Sequence, residues 1–324
     1  MKTSGELLHS INDYLEGVTK HRSPATLYEP IRYVLSTGGK RIRPTLMLMA
    51  YNMYKDDTDT IMPQACGLEI YHNYTLLHDD LMDNASLRRG MPTVHRRWNA
   101  NTAILSGDTM LVMAYQHIAL CSPAMLANIL PLFSRTALQI GEGQQLDMDF
   151  ETRTDVTDDE YIEMIRLKTS VLLACALKMG AILAGAPQSD ADNLYSFGEK
   201  IGLAFQLQDD YLDVYGNPDI FGKNIGGDIL SNKKTFLLIN AFNKADSSLR
   251  SELQRWTAAT NFNPQQKIAA VTDIYNRLGI PAIAHERIGT FFTQSRHFLS
   301  QLSINDSRKQ PLTAFTDAMM TRKY

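Results

Sequence analysis

The stretch Leu76-Leu77-His78-Asp79-Asp80-Leu81-Met82-Asp83 lies late in a run of helical periodicity, and Gln208-Asp209-Asp210-Tyr211-Leu212-Asp213 repeats its Asp-Asp-x-x-Asp spacing about 130 positions later. On an α-helix the first and last aspartates of such a cluster sit one above the other on one face, about 6 Å apart. Each helix therefore offers paired carboxylates. At this aspartate content roughly 0.13 such matches per chain arise by chance, so two copies form a signal. The flanking Leu76, Leu77, Leu81, Leu203, Phe205 and Leu207 predict buried helices, and carboxylates in that setting need compensating cations. Oxygen donors of this kind suit Mg²⁺, which takes one or two carboxylates together with water and phosphate oxygens. Two such helices facing each other would hold a diphosphate through bridging metal.

Working outward, helical periodicity dominates and alternating β-branched runs are scarce. Ile42, Leu46 and Met49 keep one-face spacing, as do Ile162, Ile165 and Leu172. Thr157-Asp158-Asp159-Glu160 predicts a capping box opening a helix near Asp158, rather than a metal site. Connections are predicted at Asp56–Thr60, at 84–92, at Ser122-Pro123, at Glu151–Thr157, at Gly216–Ser231 and at Asn261–Pro264. With no internal repeat and no long linker, the expectation is one all-α domain over residues 1–324, of about ten helices.

A chain of 324 residues buries a full core without disulfides or structural metal. Its 32 Lys+Arg against 35 Asp+Glu give a net charge of −3, with no sustained basic block, which excludes a nucleic-acid or anionic-membrane binder. Any phosphate site must therefore be local. Cys66, Cys121 and Cys175 lie in apolar surroundings without metal-binding spacing and read as buried free thiols of a reducing, cytoplasmic setting. Glu6, Asp13 and Glu16 break the N-terminal stretch where a signal peptide is apolar, and Lys178 interrupts the most apolar run, Val171 to Ala186, so no membrane span is expected.

Cations accompany the carboxylates. Gly38-Gly39-Lys40-Arg41-Ile42-Arg43-Pro44 places three of them around a short loop leading into a helix, where Lys40 and Arg43 can hold a diphosphate. The loop lacks the Walker A pattern, and Gly141-Glu142-Gly143 lacks the third glycine of a dinucleotide fingerprint. Arg88 and Arg89 follow the first aspartate cluster, and Lys223 and Lys233 follow the second. Lys168 and Thr169 open an apolar stretch, an uncommon place for an unpaired lysine, and His72 precedes the first cluster by less than two turns.

This ordered set resembles the trans-isoprenyl diphosphate synthases, the polyprenyl synthetase family, and in particular its short-chain geranylgeranyl and farnesyl members. The resemblance rests on GGKRIRP at 38–44, Glu69-Ile70-Tyr71-His72, HDDLMD at 78–83, LRRGMPTVH at 87–95, GDTML at 107–111, GQQLD at 143–147, KTS at 168–170, FQLQDDYLD at 205–213 and GKNIGGDI at 222–229. It implies the all-α isoprenoid synthase fold around a central cavity, usually in a homodimer. It also implies head-to-tail condensation of isopentenyl diphosphate with an allylic diphosphate. Carried over by position, Asp79, Asp83 and Asp209 would ligate Mg²⁺, three ions in all, with Asp80, Asp210 and Asp213 in or behind the ligand set. Lys40, Arg43, His72 and Arg89 would bind isopentenyl diphosphate. Arg88, Lys168, Lys223 and Lys233 would hold the allylic diphosphate, and Thr169 and Gln206 would face the developing carbocation. Gln144 and Asp147 match a motif whose residues line the cavity. At Asn232 the family usually has glycine before the lysine, so the backbone leading into Lys233 departs from its pattern.

Tyr74 and Thr75 stand five and four positions before Asp79, about 7.5 and 6 Å back along the helix. An aromatic followed by a small residue resembles the geranylgeranyl (C20) pattern, with Tyr74 as floor of the cavity. Farnesyl (C15) members usually carry two aromatics there, and a longer product is the other alternative. A class I terpene cyclase would carry an Asn/Ser/Glu-type second motif, and a non-catalytic partner subunit would have lost aspartates. Here both clusters are intact, and no EF-hand spacing supports a Ca²⁺ protein.

Overall fold

Helices begin where the sequence supplies caps. Thr3 with Glu6, and Thr157 with Glu160, form complete capping boxes, the second opening a helix at Asp158 as its sequence predicts. Asn99, Asp246 and Asn263 accept backbone N–H groups at three further starts. The computed structural model describes residues 2–217 and 225–321 and is 79% helical. The first helices are α1 (Ser4–Gly17), α2 (Ala25–Ser36), α3 (Ile42–Asn52), α4 (Met62–Met82), α5 (Val94–Arg97), α6 (Ala100–Ile118), α7 (Pro123–Thr152), α8 (Asp158–Ile165), α9 (Val171–Ala184) and α10 (Gln188–Tyr215). Further helices cover Phe236–Lys244, Ser247–Ala258, Pro264–Arg277, Ile280–Ser300 and Asp306–Thr321. The helices outnumber the expected ten because several are short, such as Gly227–Leu230 inside a predicted connection. The connection at 84–92 carries the sheet among the described residues, an antiparallel hairpin pairing Leu87 with Pro92 and Arg88 with Met91.

Two compact units divide the chain, one from Met1–Ser134, Cys175–Tyr195 and Leu302–Phe315, the other from Arg135–Ala174, Ser196–Gln301 and Thr316–Tyr324. In the first, α4 packs against α1, α3 and, most extensively, α6. These helices are apolar on more than one face: α3 buries every residue from Pro44 to Asn52, beyond the single stripe of Leu46 and Met49. Gly107 on α6 makes room for α4, since a Cβ there would lie 2.2 Å from Nε2 of His78. That fit lets the His78 ring sit 3.2 Å from the Ile104 carbonyl.

In the second unit Phe150, Tyr161, Leu203, Leu207, Phe236 and Phe291 share one apolar cluster, and Val214, Leu237, Ile274, Tyr275 and Ile280 another. Between α8 and α9 the helix widens into a π turn over Arg166–Ser170, the segment carrying Lys168 and Thr169. Such insertions redirect side chains at the cost of regular pairing, and they mark functional positions in helices. Gly143 of α7 accommodates the turn, because a Cβ would lie 2.4 Å from the Lys168 backbone nitrogen.

The run from Asp158 to Ala184 has a hydropathy of 1.6 over its most apolar window, and 78% of that window is buried inside the protein. Its apolar surface is thus met by protein, with Lys178 paired to Asp192 at 2.6 Å. Cys66 and Cys175 are buried free thiols as expected, whereas Cys121 is half-buried. Two glycines on α7, Gly141 and Gly143, provide a test of the packing. Gly143→Ala should lower unfolding free energy in urea by about 1–3 kcal/mol through overpacking. Gly141→Ala, which meets nothing within 4 Å, should be neutral or stabilise by up to about 1 kcal/mol through helix propensity.

Candidate active site

In the first unit the Gly38-Gly39 loop exists to admit a guanidinium. Both glycines have positive φ, 78° and 128°, and a Cβ on Gly39 would lie 2.8 Å from Cζ of Arg89. Arg89, itself left-handed at φ 53°, donates through Nη1 to the Gly38 carbonyl. Arg43 follows at the start of α3 and His72 projects from α4, with Arg43 Nη1 3.1 Å from His72 Nε2. Arginine only donates, so Nε2 accepts and the imidazole proton resides on Nδ1. Burial, then the charges of Arg43, Arg89, Arg88 and Arg41, hold His72 well below the usual imidazole pKa, and the ring is neutral. Burial also lowers Arg43 to about 10, still cationic at neutral pH. Its Nε is a buried donor with no partner, which costs about 1–3 kcal/mol unless an anion accepts from it. Lys40 is exposed on the same loop. Arg41, in contrast, turns inward to a buried ion pair with Glu69 at 2.8 Å and serves the fold.

On the same unit, Asp79 lies in the last turn of α4 and Asp83 caps its C-terminus, its N–H bonded to the Asp79 carbonyl at 2.9 Å, while Asp80 is buried and points to Arg88. Arg88 Nε donates to both Asp80 oxygens at 2.8 Å, and Nη2 lies 3.8 Å from Asp79 Oδ2. Asp80 therefore orients Arg88 from behind the cluster, and burial is the main reason its carboxyl is raised despite that bond. Tyr74 stands half-buried between Tyr71 and His78, with ring centroids 5.5 and 4.9 Å away. Thr75 donates its hydroxyl to the His72 carbonyl at 2.8 Å.

The second unit holds the other aspartates on α10 together with the π turn. Thr169 Oγ1 donates to Gln206 Oε1 at 3.2 Å, and Gln206 Nε2 donates to Asp210 Oδ1 at 3.1 Å. The buried Tyr161 hydroxyl completes this chain by donating to Asp210 Oδ2. Burial foremost, then the charge of Asp228, raises Asp210 to about 7, while Lys233, Tyr161 and Gln206 oppose the shift. Lys168 pairs with Asp147 at 2.5 Å, which explains its tolerance at the edge of a core. Asp213 accepts the Asp228 backbone N–H at 3.0 Å and so also anchors the short helix at 227–230. Lys233 follows that helix, and Lys223 lies outside the described residues.

Each cluster thus offers carboxylate oxygens of the type Mg²⁺ takes. Among the described residues no group of three or more His, Cys, Asp or Glu forms a cage. Two carboxylates per cluster suffice for an ion that keeps water and phosphate oxygens, so the donor sets fit. Residues 24–275, spanning both clusters and every cation above, match the polyprenyl synthetase family.

The chain belongs to the polyprenyl synthetase family.

Among its relatives, a geranylgeranyl diphosphate synthase of Methanosarcina mazei is 43% identical over 68% of this chain and 69% of its own. A short chain isoprenyl diphosphate synthase of Methanothermobacter thermautotrophicus is 34% identical over 93% and 92%. A crystal structure of a geranylgeranyl pyrophosphate synthase superposes with a TM-score of 0.95 at 42% identity, covering 100% of both chains. The isoprenoid synthase fold expected from sequence is therefore the fold of the molecule.

Three residues beside the groups named above escaped the sequence reading. Tyr161 carries no motif, Asp228 was visible within GKNIGGDI without a role, and His95 closes LRRGMPTVH with both ring nitrogens buried and unpartnered. The raised Asp210 gives a signed pH dependence. Its folded pKa of about 7 exceeds the usual 3.8, so its contribution to stability is fully present below the lower value and is lost as pH rises through the upper one. Without divalent cations, unfolding free energy should fall between about pH 4 and 7, and Asp210→Asn should flatten that fall in denaturant titrations.

Proposed function

We propose that the protein is a short-chain trans-prenyltransferase that condenses isopentenyl diphosphate head-to-tail with C5, C10 and C15 allylic diphosphates and ends at geranylgeranyl diphosphate. The observation that carries this reading is the cluster of Arg43, His72 and Arg89 at the Gly38-Gly39 loop, where the buried Nε of Arg43 has no hydrogen-bond partner. A cyclase acting on a single diphosphate has no use for such a second anion site. The match over residues 24–275 and the geranylgeranyl names of the relatives support the same activity and product.

In this reading Lys40, Arg43, His72 and Arg89 bind isopentenyl diphosphate, and neutral His72 adds an Nδ1–H donor without competing for cationic space. Arg88, Lys168, Lys223 and Lys233 hold the allylic diphosphate. Asp79, Asp83 and Asp209 are the Mg²⁺ ligands, with Asp80, Asp210 and Asp213 behind them. Mg²⁺, when bound, supplies positive charge to the diphosphate oxygens as the allylic C–O bond breaks. The protein's cations are fixed in advance by their own partners, Arg88 by Asp80 and Lys168 by Asp147, so they need no reorganisation as charge develops. Thr169 and Gln206 present oxygens to the allylic cation, oriented by the hydrogen-bonded chain to Asp210. The isopentenyl double bond attacks, and the proton then lost passes to the released diphosphate. An apolar surround keeps water from quenching the cation.

The 324 residues act as one catalytic domain in this proposal, and the active form is a homodimer. Ile104, Leu105 and Val112 lie exposed along α6 and supply apolar surface for that association. The three free cysteines accord with a reducing cytoplasm.

Incubation with isopentenyl diphosphate, each allylic starter and Mg²⁺ should yield C20 product. Absence of elongation with every starter would overturn the assignment. Asp79→Ala and Asp209→Ala should each lower kcat by about 10²–10³. With Tyr74 as the floor, Tyr74→Ala should lengthen the product and Thr75→Phe should shorten it. Unchanged lengths in both variants would remove the floor from these positions.

A further inference from the structure

The departure from family pattern at Asn232 has a structural counterpart. Asn232 occupies the left-handed region at φ 56°, a conformation open to glycine and tolerated by asparagine above other residues. It sits at the end of the helix Gly227–Leu230, whose last turn continues as Ser231 N–H to Gly227 O at 3.0 Å and Asn232 N–H to Ile229 O at 3.3 Å. The backbone then reverses, and Lys233 N–H returns to the Asp228 carbonyl at 3.0 Å. The direction in which Lys233 leaves the chain is thus set by the dihedral angles of Asn232.

A second lysine holds that turn from inside. Lys267, on the helix Pro264–Arg277, is 0% exposed, a rare state for lysine. Its Nζ donates to Asn232 Oδ1 at 2.7 Å and to the Leu230 carbonyl at 3.3 Å, and it lies 4.2 Å from the Phe262 ring centroid. The two oxygens belong to the same turn, one to its reversing residue and one to the helix end. Asp228, Asn232, Lys233, Thr235, Lys267 and Tyr275 line one small cavity. A charge-assisted bond to a left-handed asparagine supplies the stabilisation that glycine obtains from lacking a Cβ.

We propose that Lys267 is a positioning residue for Lys233, its buried ammonium locking Asn232 in the left-handed conformation and so aiming Lys233 at the allylic diphosphate. The inference rests on the reading of Lys233 as an allylic-diphosphate ligand. It also accounts for how this chain dispenses with glycine before that lysine.

Steady-state kinetics with Mg²⁺, isopentenyl diphosphate and dimethylallyl diphosphate test it on the full chain. Lys267→Met keeps the buried stem and removes the ammonium. It should raise KM for the allylic diphosphate about tenfold, with KM for isopentenyl diphosphate within about twofold of wild type. The double variant Lys267→Met/Asn232→Gly should recover to within about threefold, because glycine takes the positive φ unaided and no charge is left unpaired. A folded Lys267→Met enzyme with unchanged allylic KM, equal losses for both substrates, or a double variant as impaired as the single one would overturn the proposal. If Lys267→Met fails to fold, Asn232→Ala, which lacks the oxygen, should give the same selective rise, and a normal allylic KM there would overturn it. Lys233→Ala separates the two levels. Its failure to raise allylic KM would remove the ligand reading and this inference together, whereas a defective Lys233→Ala beside a normal Lys267→Met removes the inference alone.

Discussion

Carboxylates placed on helices that are apolar nearly all round must be neutralised where they stand, and the rest of this structure follows from how each one is treated. Desolvating a charge costs several kcal/mol, and an ion pair offsets that only with good geometry and satisfied hydrogen bonds. Glu69 receives Arg41, Asp80 receives the side-on fork of Arg88, and Asp147 receives Lys168. Asp210 has the Tyr161 and Gln206 donors and a pKa near neutrality instead of a guanidinium. Asp79 and Asp83, four apart at the end of α4, keep the aligned arrangement an oxygen-seeking ion requires.

The same economy shapes the cationic side. Desolvation foremost, then the charges of neighbouring arginines, depresses Arg43, His72 and Arg89, and the histidine yields its charge. A cluster with one neutral ring, two neighbouring guanidiniums and a buried N–H without a partner is suited to an anion rather than to its own stability. The left-handed conformations at Arg41 and Arg89 fall within this cluster, and the one at Asn232 falls beside Lys233 and Lys267. Strain of this kind persists where surrounding contacts over-determine the backbone.

Much of this was legible in the residues. The helical class followed from periodicity, the helix start at Asp158 from its capping box, and the pairing of aspartate clusters with cations from spacing alone. What escaped depends on contacts between segments distant in sequence. The π turn at Arg166–Ser170 leaves no mark in the spacing of Ile162, Ile165 and Leu172, and the room it needs comes from Gly143, distant in sequence. The division of Arg41 from Arg43, one structural and one turned to the site, depends on Glu69 lying beneath the loop. Tyr161 reads as an ordinary core aromatic until Asp210 appears at its hydroxyl. Asn232 looked like a defect in a motif, and only its bond to Lys267 shows how the turn is held.

Calorimetric titration with inorganic diphosphate tests most directly whether the two aspartate clusters form a metal-dependent diphosphate site. Binding is expected with Mg²⁺ present, and it should disappear in chelator and in both Asp79→Asn and Asp209→Asn, while far-ultraviolet circular dichroism stays unchanged. Equal binding in chelator, or undiminished binding in both variants, would contradict it.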